Sequence, residues 1–570
     1  MPYVITAGCC NDAACVEVCP VDAIRPRPED PEFRTAEQLY IDPDTCIDCS
    51  ACMFACPVSA VHDAFELPED LSEYLAINAG YFEAAPIDRR YFDIGPVASA
   101  TAPVAARVAV IGAGPAACYA VAELCRTEGI QITVFDRLPT PFGLVRSGVA
   151  PDHSNTKQIG DVFQSVLAHP NVTCYFNVEV GRDIGLDDLR RSHHAVIYAA
   201  GADGDRMLGI DGEELAGSCS AREFVSWYNG HPDFADLRYD LIADTAVVVG
   251  NGNVALDVAR TLVGPIAALE TTDMADHAIA ALRGSAVETV VIAARRGPAE
   301  AACTSGELSE LCRLPGVAVA AIPEEVARLS RSGYPAGSAE ARKVEIFGRL
   351  PDARRPAEAG VKRVVFRFGA VPLRINGQER VDSISFGRAG VSHASTETIE
   401  CGLVIRSVGY TISRFAGLPF DDSTRTIANR AGRVVQEKSG EVLPGLFCVG
   451  WAKRGPSGVI GTNKVCARET VGALLDDLNS GGLPEPDVEP GDIGRMIRSR
   501  RSDVIDMDDW RTIDAEERKA GRAAVPPKPR RKLVSLDRML RIVNGGDPGA
   551  DDFGWPGNGS CGARESEIKK

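Results

Sequence analysis

From residue 107 onward the chain alternates short, near-continuous apolar runs with longer segments, and the key runs end in glycine. Residues 107–126, RVAVIGAGPAACYAVAELCR, read as a buried strand at 108–111, a glycine turn and an apolar helix. The run ITVFD, ending at Asp136, reads as the next strand. The same grammar returns in AVVVGNGNVALDVAR, and again in the strand ETVVIAA. Strand, turn and helix in repeated succession predict an α/β fold with two Rossmann-type units. Ahead of residue 107 the pattern differs. Residues 67–85, containing LSEYLAINAGYF, read as a helix, followed by the Ala/Pro-rich stretch GPVASATAPVAA. That composition predicts a semi-extended linker between independently folding units, so 67–106 is a helix plus linker. No run of about eighteen apolar residues escapes charges or glycine breaks, and no transmembrane helix is expected.

Residues 1–66 carry cysteines where the rest carries apolar runs. Cys46, Cys49, Cys52 and Cys56-Pro57 follow C-x2-C-x2-C-x3-C-P. Cys9, Cys15 and Cys19-Pro20 keep the same spacing, with Asp12 where the second thiolate should stand. In such paired runs the fourth cysteine of each reaches the other cluster. The expected ligand sets are therefore Cys46, Cys49, Cys52 and Cys19 for a [4Fe–4S] cluster, and Cys9, Cys15 and Cys56 with Asp12 for the second. A carboxylate is a poorer partner for cluster iron than a thiolate, so the second cluster is expected as [3Fe–4S], or [4Fe–4S] when Asp12 holds the fourth iron. Cys10 adjoins Cys9 and is an alternative ligand. A disulfide framework suits secreted chains, and the start MPYVITA has neither a basic segment nor a long apolar stretch. Residues 1–66 resemble the seven-iron bacterial ferredoxins, with a shorter gap before Cys15; the implied module is α+β.

At 570 residues the chain is too long for one domain. Its formal net charge of −18 argues against nucleic acid as a partner. The first 66 residues hold Asp12, Glu17, Asp22, Asp42, Asp44, Asp48 and Asp63 against Arg25, Arg27 and Arg34, a balance suited to a basic redox partner. Scattered further cysteines, among them Cys118 and Cys448, suit a reducing cytoplasm. His193 and His194 are expected at the surface.

The glycine turns give the nucleotide chemistry. In the first, Gly112 makes the tight bend, Gly114 admits a pyrophosphate and Ala117 lets the helix pack on its sheet. Asp136 ends the second strand, where an acid accepts ribose hydroxyls of FAD or NAD. In the second turn, Asn251, Gly252, Asn253 and Val254 are the candidate contacts, and the following strand ends in Arg295-Arg296. Guanidinium groups at that place favour the 2′-phosphate of NADP(H). Two turns mean two dinucleotides. Hydride from NADPH carries two electrons while clusters take one, so a flavin is required between them.

At residues 107–475 the chain closely resembles ferredoxin–NADP reductases of the adrenodoxin-reductase type, through VIGAGPAA, PTPFGLVRSGVAPDH, VVGNGNVALDVAR, RRGPAEAACTSGELSEL and GWAKRGPSGVIGTNK. The resemblance implies an FAD domain split into 107–204 and 411–500, an inserted NADP domain at 205–410, and a C-terminal extension, 501–570, partly packed on the FAD domain. It implies FAD contacts from Leu144, Val180, Trp451, Gly458, Val459 and Ile460, and NADP contacts from Arg206 and Glu307. His153 matches the family's active-site histidine. With Glu310, one helical turn beyond Glu307, it is the candidate proton-transfer or orienting group.

The expected activity is NADPH:ferredoxin oxidoreduction: hydride to FAD, then single electrons to the clusters. External ferredoxins, cytochromes P450 or other acceptors would follow, with the protein a cytoplasmic monomer. Two alternatives carry other predictions. One is the electron-input subunit of a larger reductase, like the small subunit of glutamate synthase. The other is an iron or redox sensor that switches at Asp12.

Overall fold

A computed structural model describes residues 2–546 except 7, 85, 88–104, 331–332, 335–338, 357 and 390–395. The Ala/Pro linker expected at 95–106 therefore lies almost wholly outside the described residues, as does the chain beyond 546.

The cysteine-rich module is built twice over. Strand Tyr3–Ile5 pairs antiparallel with Val61–Asp63, and Ile24–Arg25 pairs with Tyr40–Ile41. Each half holds a one-turn helix, Ala14–Val18 or Ala51–Ala55. Three pairs of non-glycine residues at one common chain offset take left-handed backbone angles: Asn11 and Asp48, Ala13 and Ser50, Asp22 and Ser59. Helix Glu73–Ala84 closes the module. Its buried Asn78 accepts from Ile5 N (3.1 Å) and Ile41 N (2.9 Å) and donates to Ile5 O (2.8 Å). One amide thus stitches two strands that would otherwise leave buried backbone groups unpaired.

A seven-stranded sheet follows, assembled from chain segments on either side of a second sheet. Its order is Asn429–Arg430, Arg433–Val435, Val442–Cys448, Ala195–Tyr198, Ala106–Ile111, Ile130–Asp136 and Val172–Phe176. The last five run parallel; the first two form an antiparallel edge ribbon. The second sheet has six parallel strands, ordered Ser218–Ser220, Leu403–Arg406, Thr245–Val249, Thr289–Ala294, Lys362–Phe368 and Val317–Ala321. The second sheet's central strands, Thr245–Val249 and Thr289–Ala294, are almost wholly apolar because both faces are covered, one by helices and the other by the antiparallel strands Ala370–Gly377 and Val381–Arg388. Cys118 and Cys448 are fully buried in the first sheet's cores.

After the second sheet the chain returns through helix Ile460–Asn479, which packs along Pro115–Cys125. Two tail helices, Met507–Ala523 and Leu536–Val543, add Trp510, Ile513, Met539 and Ile542 to the core beneath the first sheet. The tail also reaches the second sheet's unit: Lys532 Nζ donates to Asn229 O (3.1 Å) and to Arg146 O (3.2 Å), one on each side.

His193 is buried, contrary to the surface position expected from sequence. It caps helix Leu186–Ser192 and turns onto the adjacent strand, with Nε2 3.1 Å from Thr133 Oγ1 and Nδ1 3.1 Å from Leu189 O. Burial disfavours its charged form and lowers its pKa to about 4.

Candidate active site

Both glycine turns lie at the carboxyl ends of parallel strands, where open α/β sheets bind ligands. Gly112 and Gly250 have φ of +107° and +121°. A side chain on Gly112 would meet Ala199 O at 2.7 Å, and one on Gly250 would run into Ser407 O. Only glycine fits either turn. Gly114 and Gly252 cap the helices Pro115–Cys125 and Asn253–Val263, and Ala117 is fully buried against the sheet.

Asp136 is committed to the first turn itself. Its carboxylate accepts from Ala113 N (2.7 Å) and Leu138 N (2.9 Å), so it shapes the loop that would receive a ribose. Burial raises its pKa. Leu144 begins helix Leu144–Ser147 and stays partly exposed, while Val180 is buried beside a bridge to Ile184. Trp451 donates from Nε1 to Ser457 O (3.1 Å) and lies 5.4 Å, centre to centre, from the Tyr410 ring. Gly458, Val459 and Ile460 form the entry to the return helix, where Val459 N–H donates to Thr462 Oγ1 (3.1 Å).

A cavity of about 1190 Å³ opens at the second turn and takes in Asn251, Gly252, Asn253, Val254, Arg295, Arg296 and Arg206. Asn253 Oδ1 accepts from Thr304 N (2.8 Å), tying loop 302–304 to the turn. Asn251 Nδ2 is buried with no acceptor among the described residues. A buried, unpaired amide donor beside two exposed arginines is the donor set that a phosphorylated nucleotide satisfies. Gly458 and Val459 also line this cavity, so it extends to the return helix.

Between the two sheets lies a charged knot. His153 Nε2 is 3.2 Å from Asp257 Oδ1 and 3.5 Å from Glu307 Oε2. Arg260, almost fully buried, pairs with Asp152 (2.6 Å), Asp257 (2.6 Å) and Glu307 (3.3 Å), and reaches Glu310 at 4.0 Å. Burial and the Arg260 guanidinium, whose Nη2 lies 2.5 Å from His153 Nε2, oppose charge on His153, but the Asp257 hydrogen bond and the charges of Asp257 and Glu307 outweigh them and raise its pKa to about 9. Glu310 stays half exposed at the knot's edge. Asp152, Asp257 and Arg260 were not singled out from sequence. Part of the signal was present: Asp257 and Arg260, three residues apart, are the two charges of helix Asn253–Val263.

The seven cysteines and Asp12 fall into the two halves of the doubled module. Cys9 Sγ donates to Asn11 Oδ1 (3.3 Å) as Cys46 Sγ does to Asp48 Oδ1 (3.6 Å). Ala23 N donates to Cys19 Sγ (3.2 Å) as Ala60 N does to Cys56 Sγ (3.3 Å). Cys9 is therefore the counterpart of Cys46, and Asp12 stands where Cys49 stands; Cys10 is exposed. Burial pushes the Cys15 thiol up to about 12, with the charges of Cys9, Cys56 and Asp12 adding to it. Burial likewise pushes Cys49 up to about 12, and Cys19 is the next contributor. Thiols this costly to ionise alone, gathered in two groups across the halves, fit polynuclear iron sites that supply the compensating charge.

The module sits on both nucleotide units. On the first, Lys464 Nζ donates to Cys19 O (2.9 Å) and pairs with Asp22 (2.6 Å), Tyr119 donates to Pro20 O (3.3 Å) and Thr156 to Ile47 O (2.7 Å). On the second, Ser309 donates to Glu66 (2.6 Å) and Arg313 to Phe65 O (2.8 Å). Lys464 and Gly461 were also missed from sequence, although both stand in the motif GWAKRGPSGVIGTNK, whose last residues form the first turns of the return helix.

Two nucleotide turns joined by a two-cluster ferredoxin define the class: a pyridine-nucleotide flavoprotein oxidoreductase with its own iron–sulfur module. Comparison with known proteins agrees. Residues 8–60 match the 4Fe-4S dicluster domain, and 106–300 match the pyridine nucleotide-disulphide oxidoreductase family. The chain is 42% identical over 561 residues to a probable ferredoxin/ferredoxin–NADP reductase of Mycobacterium leprae, covering 96% of this chain and 99% of that one. It is 36% identical to the mitochondrial NADPH:adrenodoxin oxidoreductase of Salvelinus fontinalis, over 80% of this chain and 94% of the relative. Among solved structures, Mycobacterium tuberculosis FprA in complex with NADPH is 40% identical with a TM-score of 0.71, covering 78% of this chain and all of FprA. The chain belongs to the ferredoxin-fused ferredoxin–NADP reductases of the adrenodoxin-reductase type.

Proposed function

We propose that this chain oxidises NADPH and delivers single electrons through its own ferredoxin module. The observation that carries the reading is the seat of that module, which touches the return helix through Cys19 and Asp22 and the Ser305–Cys312 helix through Phe65 and Glu66. A side chain on Gly461 would run into Val18 O, so backbone meets backbone at the seat.

On this reading the split unit 107–204 and 411–500 holds FAD through Gly112, Gly114, Asp136, Leu144, Val180, Trp451 and the 458–460 turn. The unit 205–410 holds NADP(H) through Asn251 to Val254, Arg206, Arg295 and Arg296. Bound flavin supplies the exchange between an electron pair and single electrons. His153, held charged by Asp257 and Glu307, orients the nicotinamide end and keeps a proton at Nε2, with Glu310 as its outlet to solvent. Cys19, Cys46, Cys49 and Cys52 would hold [4Fe–4S]; Cys9, Cys15 and Cys56 with Asp12 would hold [3Fe–4S], or [4Fe–4S] with Asp12 bound.

Acceptors beyond the module are ferredoxins, cytochromes P450 or other one-electron carriers with basic surfaces. All seventeen described cysteines are free, which supports a reducing, cytoplasmic setting. No described helix is long and apolar enough to cross a membrane. An intrachain seat needs no second copy, which supports a monomer.

The test is anaerobic stopped-flow mixing of the cluster-loaded protein with NADPH, following flavin and cluster absorbance together. Cluster bleaching that follows flavin reduction, at a rate independent of protein concentration, is expected. Bleaching that depends on concentration would mean electrons travel between molecules, and the intrachain reading fails.

A further inference from the structure

The return helix presents one face to two different sites. Its entry, Gly458 and Val459, lines the nucleotide cavity, while Gly461 and Lys464, within its first turns, lie against the ferredoxin module. Lys464 is buried, with 6% of its surface exposed. Its ammonium is held at two points: it donates to the carbonyl of Cys19 at 2.9 Å and pairs with Asp22 Oδ1 at 2.6 Å. Arg468, one turn further along the same face, pairs with Glu17. Cys19 is the one residue of the first half assigned to the cluster of Cys46, Cys49 and Cys52. A buried lysine is costly, and a single surface carboxylate elsewhere would satisfy it more cheaply. Here its partners belong to the cysteine loop of another module.

We propose that Lys464 is a positioning residue for electron transfer: it fixes the Cys19 loop against the flavin-side helix and favours the reduced state of the cluster that Cys19 joins. The proposal rests on the intrachain reading for its role in turnover, but not for its effect on potential. When that cluster accepts one electron, its net charge becomes one unit more negative and nothing else is transferred. A fixed ammonium in a desolvated seam stabilises the more negative state. Asp22, beside it, acts in the opposite sense. Removing the lysine therefore lowers the potential, and removing the carboxylate raises it.

The experiment is a mediated dithionite titration of the full-length, cluster-loaded protein, read by EPR for the Cys19 cluster, on wild type, Lys464→Met, Lys464→Arg and Asp22→Asn. Lys464→Met should shift the one-electron equilibrium about tenfold toward the oxidised state, about 59 mV lower. Asp22→Asn should shift it upward, and Lys464→Arg should restore the wild-type value. Opposite signs from two partners of one ion pair are not produced by loosened packing. Equal potentials in Lys464→Met, Asp22→Asn and wild type overturn the proposal, as does a downward shift in both variants. If the potentials shift as stated but NADPH fails to reduce the cluster in single turnover, the intrachain reading falls and the assignment of Lys464 stands.

Discussion

His153 and Asp257 join the two nucleotide units through one hydrogen bond, Nε2 to Oδ1 at 3.2 Å. His153 comes from the loop after the first glycine turn's unit begins, and Asp257 from the helix that follows the second turn. With a pKa raised to about 9, the imidazole is charged at neutral pH. A group whose native pKa is raised adds stability that is full below its unfolded value, about 6.5, and is lost as pH rises through the native one. The link between the units should therefore weaken as pH rises through about 9. Asp257 has the opposite shift: the His153 bond and Arg260 outweigh burial and hold its carboxyl low, so its contribution is lost only on acidification. Selective NMR labelling of histidine should find His153 titrating near 9, and Asp257→Asn should bring it down toward 6.5. A wild-type value near 6.5 would show that the bond does not form in solution.

Arg295 and Arg296 follow strand Thr289–Ala294 and line the cavity with exposed guanidinium groups. Each charge-assisted hydrogen bond to a phosphate is worth about 1.5–3 kcal/mol. Replacing both by Gln should cost NADPH about 10²-fold or more in kcat/KM and leave NADH almost unchanged, since only NADPH carries the 2′-phosphate. Steady-state kinetics with both nucleotides measures the ratio. Equal losses for both would place the arginines on the pyrophosphate instead.

Local pattern made much of this legible. The glycine turns could be read because a tight bend at Gly112 or Gly250 tolerates no side chain, and that constraint is written in one residue. The cysteine spacing was equally plain, since three ligands to one cube must come from one short loop. What the sequence hid depends on distant pairing. His193 was assigned to the surface because nothing local shows that Thr133, on a neighbouring strand, reaches its ring. Arg260 looks like an ordinary helix charge until Asp152, Asp257 and Glu307 surround it. The seat of the ferredoxin module was unreadable for the same reason: the Lys464 and Cys19 contact spans most of the chain.

The tail is more than an appendage, because Glu517 is completely buried and holds two arginines. Arg146 reaches its carboxylate through two bonds of 2.6 and 2.9 Å, Arg530 pairs at 3.1 Å, and Leu533 N donates at 2.9 Å. Removing one partner of a buried ion pair strands the others and typically costs about 3–5 kcal/mol. Glu517→Ala should therefore speed thermal inactivation and lower the urea midpoint markedly. Arg146 also lies 5.2 Å from the centre of the Trp510 ring, so its release should alter tryptophan emission. Glu517→Gln keeps the shape and should fall between the two. An Ala variant as stable as wild type would mean the tail is not held by this group.

On the proposed ligand set, Asp12 would decide the iron count of the second cluster. The module's two halves share left-handed backbone at matched positions, and the sulfurs of Cys9 and Cys46 have matched hydrogen-bond partners. That correspondence puts Asp12 where the other half has Cys49. Its carboxylate also accepts weakly from Ala14 N at 3.4 Å, the usual local bond of an aspartate ahead of a helix. An oxygen ligand with a backbone alternative should release its iron readily. As isolated, the protein should show the EPR signal of an oxidised three-iron cluster beside one four-iron cluster. Asp12→Cys restores the missing thiolate at a backbone already shaped for it, and should convert the signal to that of two four-iron clusters after anaerobic iron loading. Cys10→Ser should leave the iron count unchanged, because Cys10 is exposed and has no counterpart in the other half. If Asp12→Cys keeps three irons while Cys10→Ser loses the cluster, the register of the first ladder is shifted by one residue and Cys10 replaces Cys9 as the ligand.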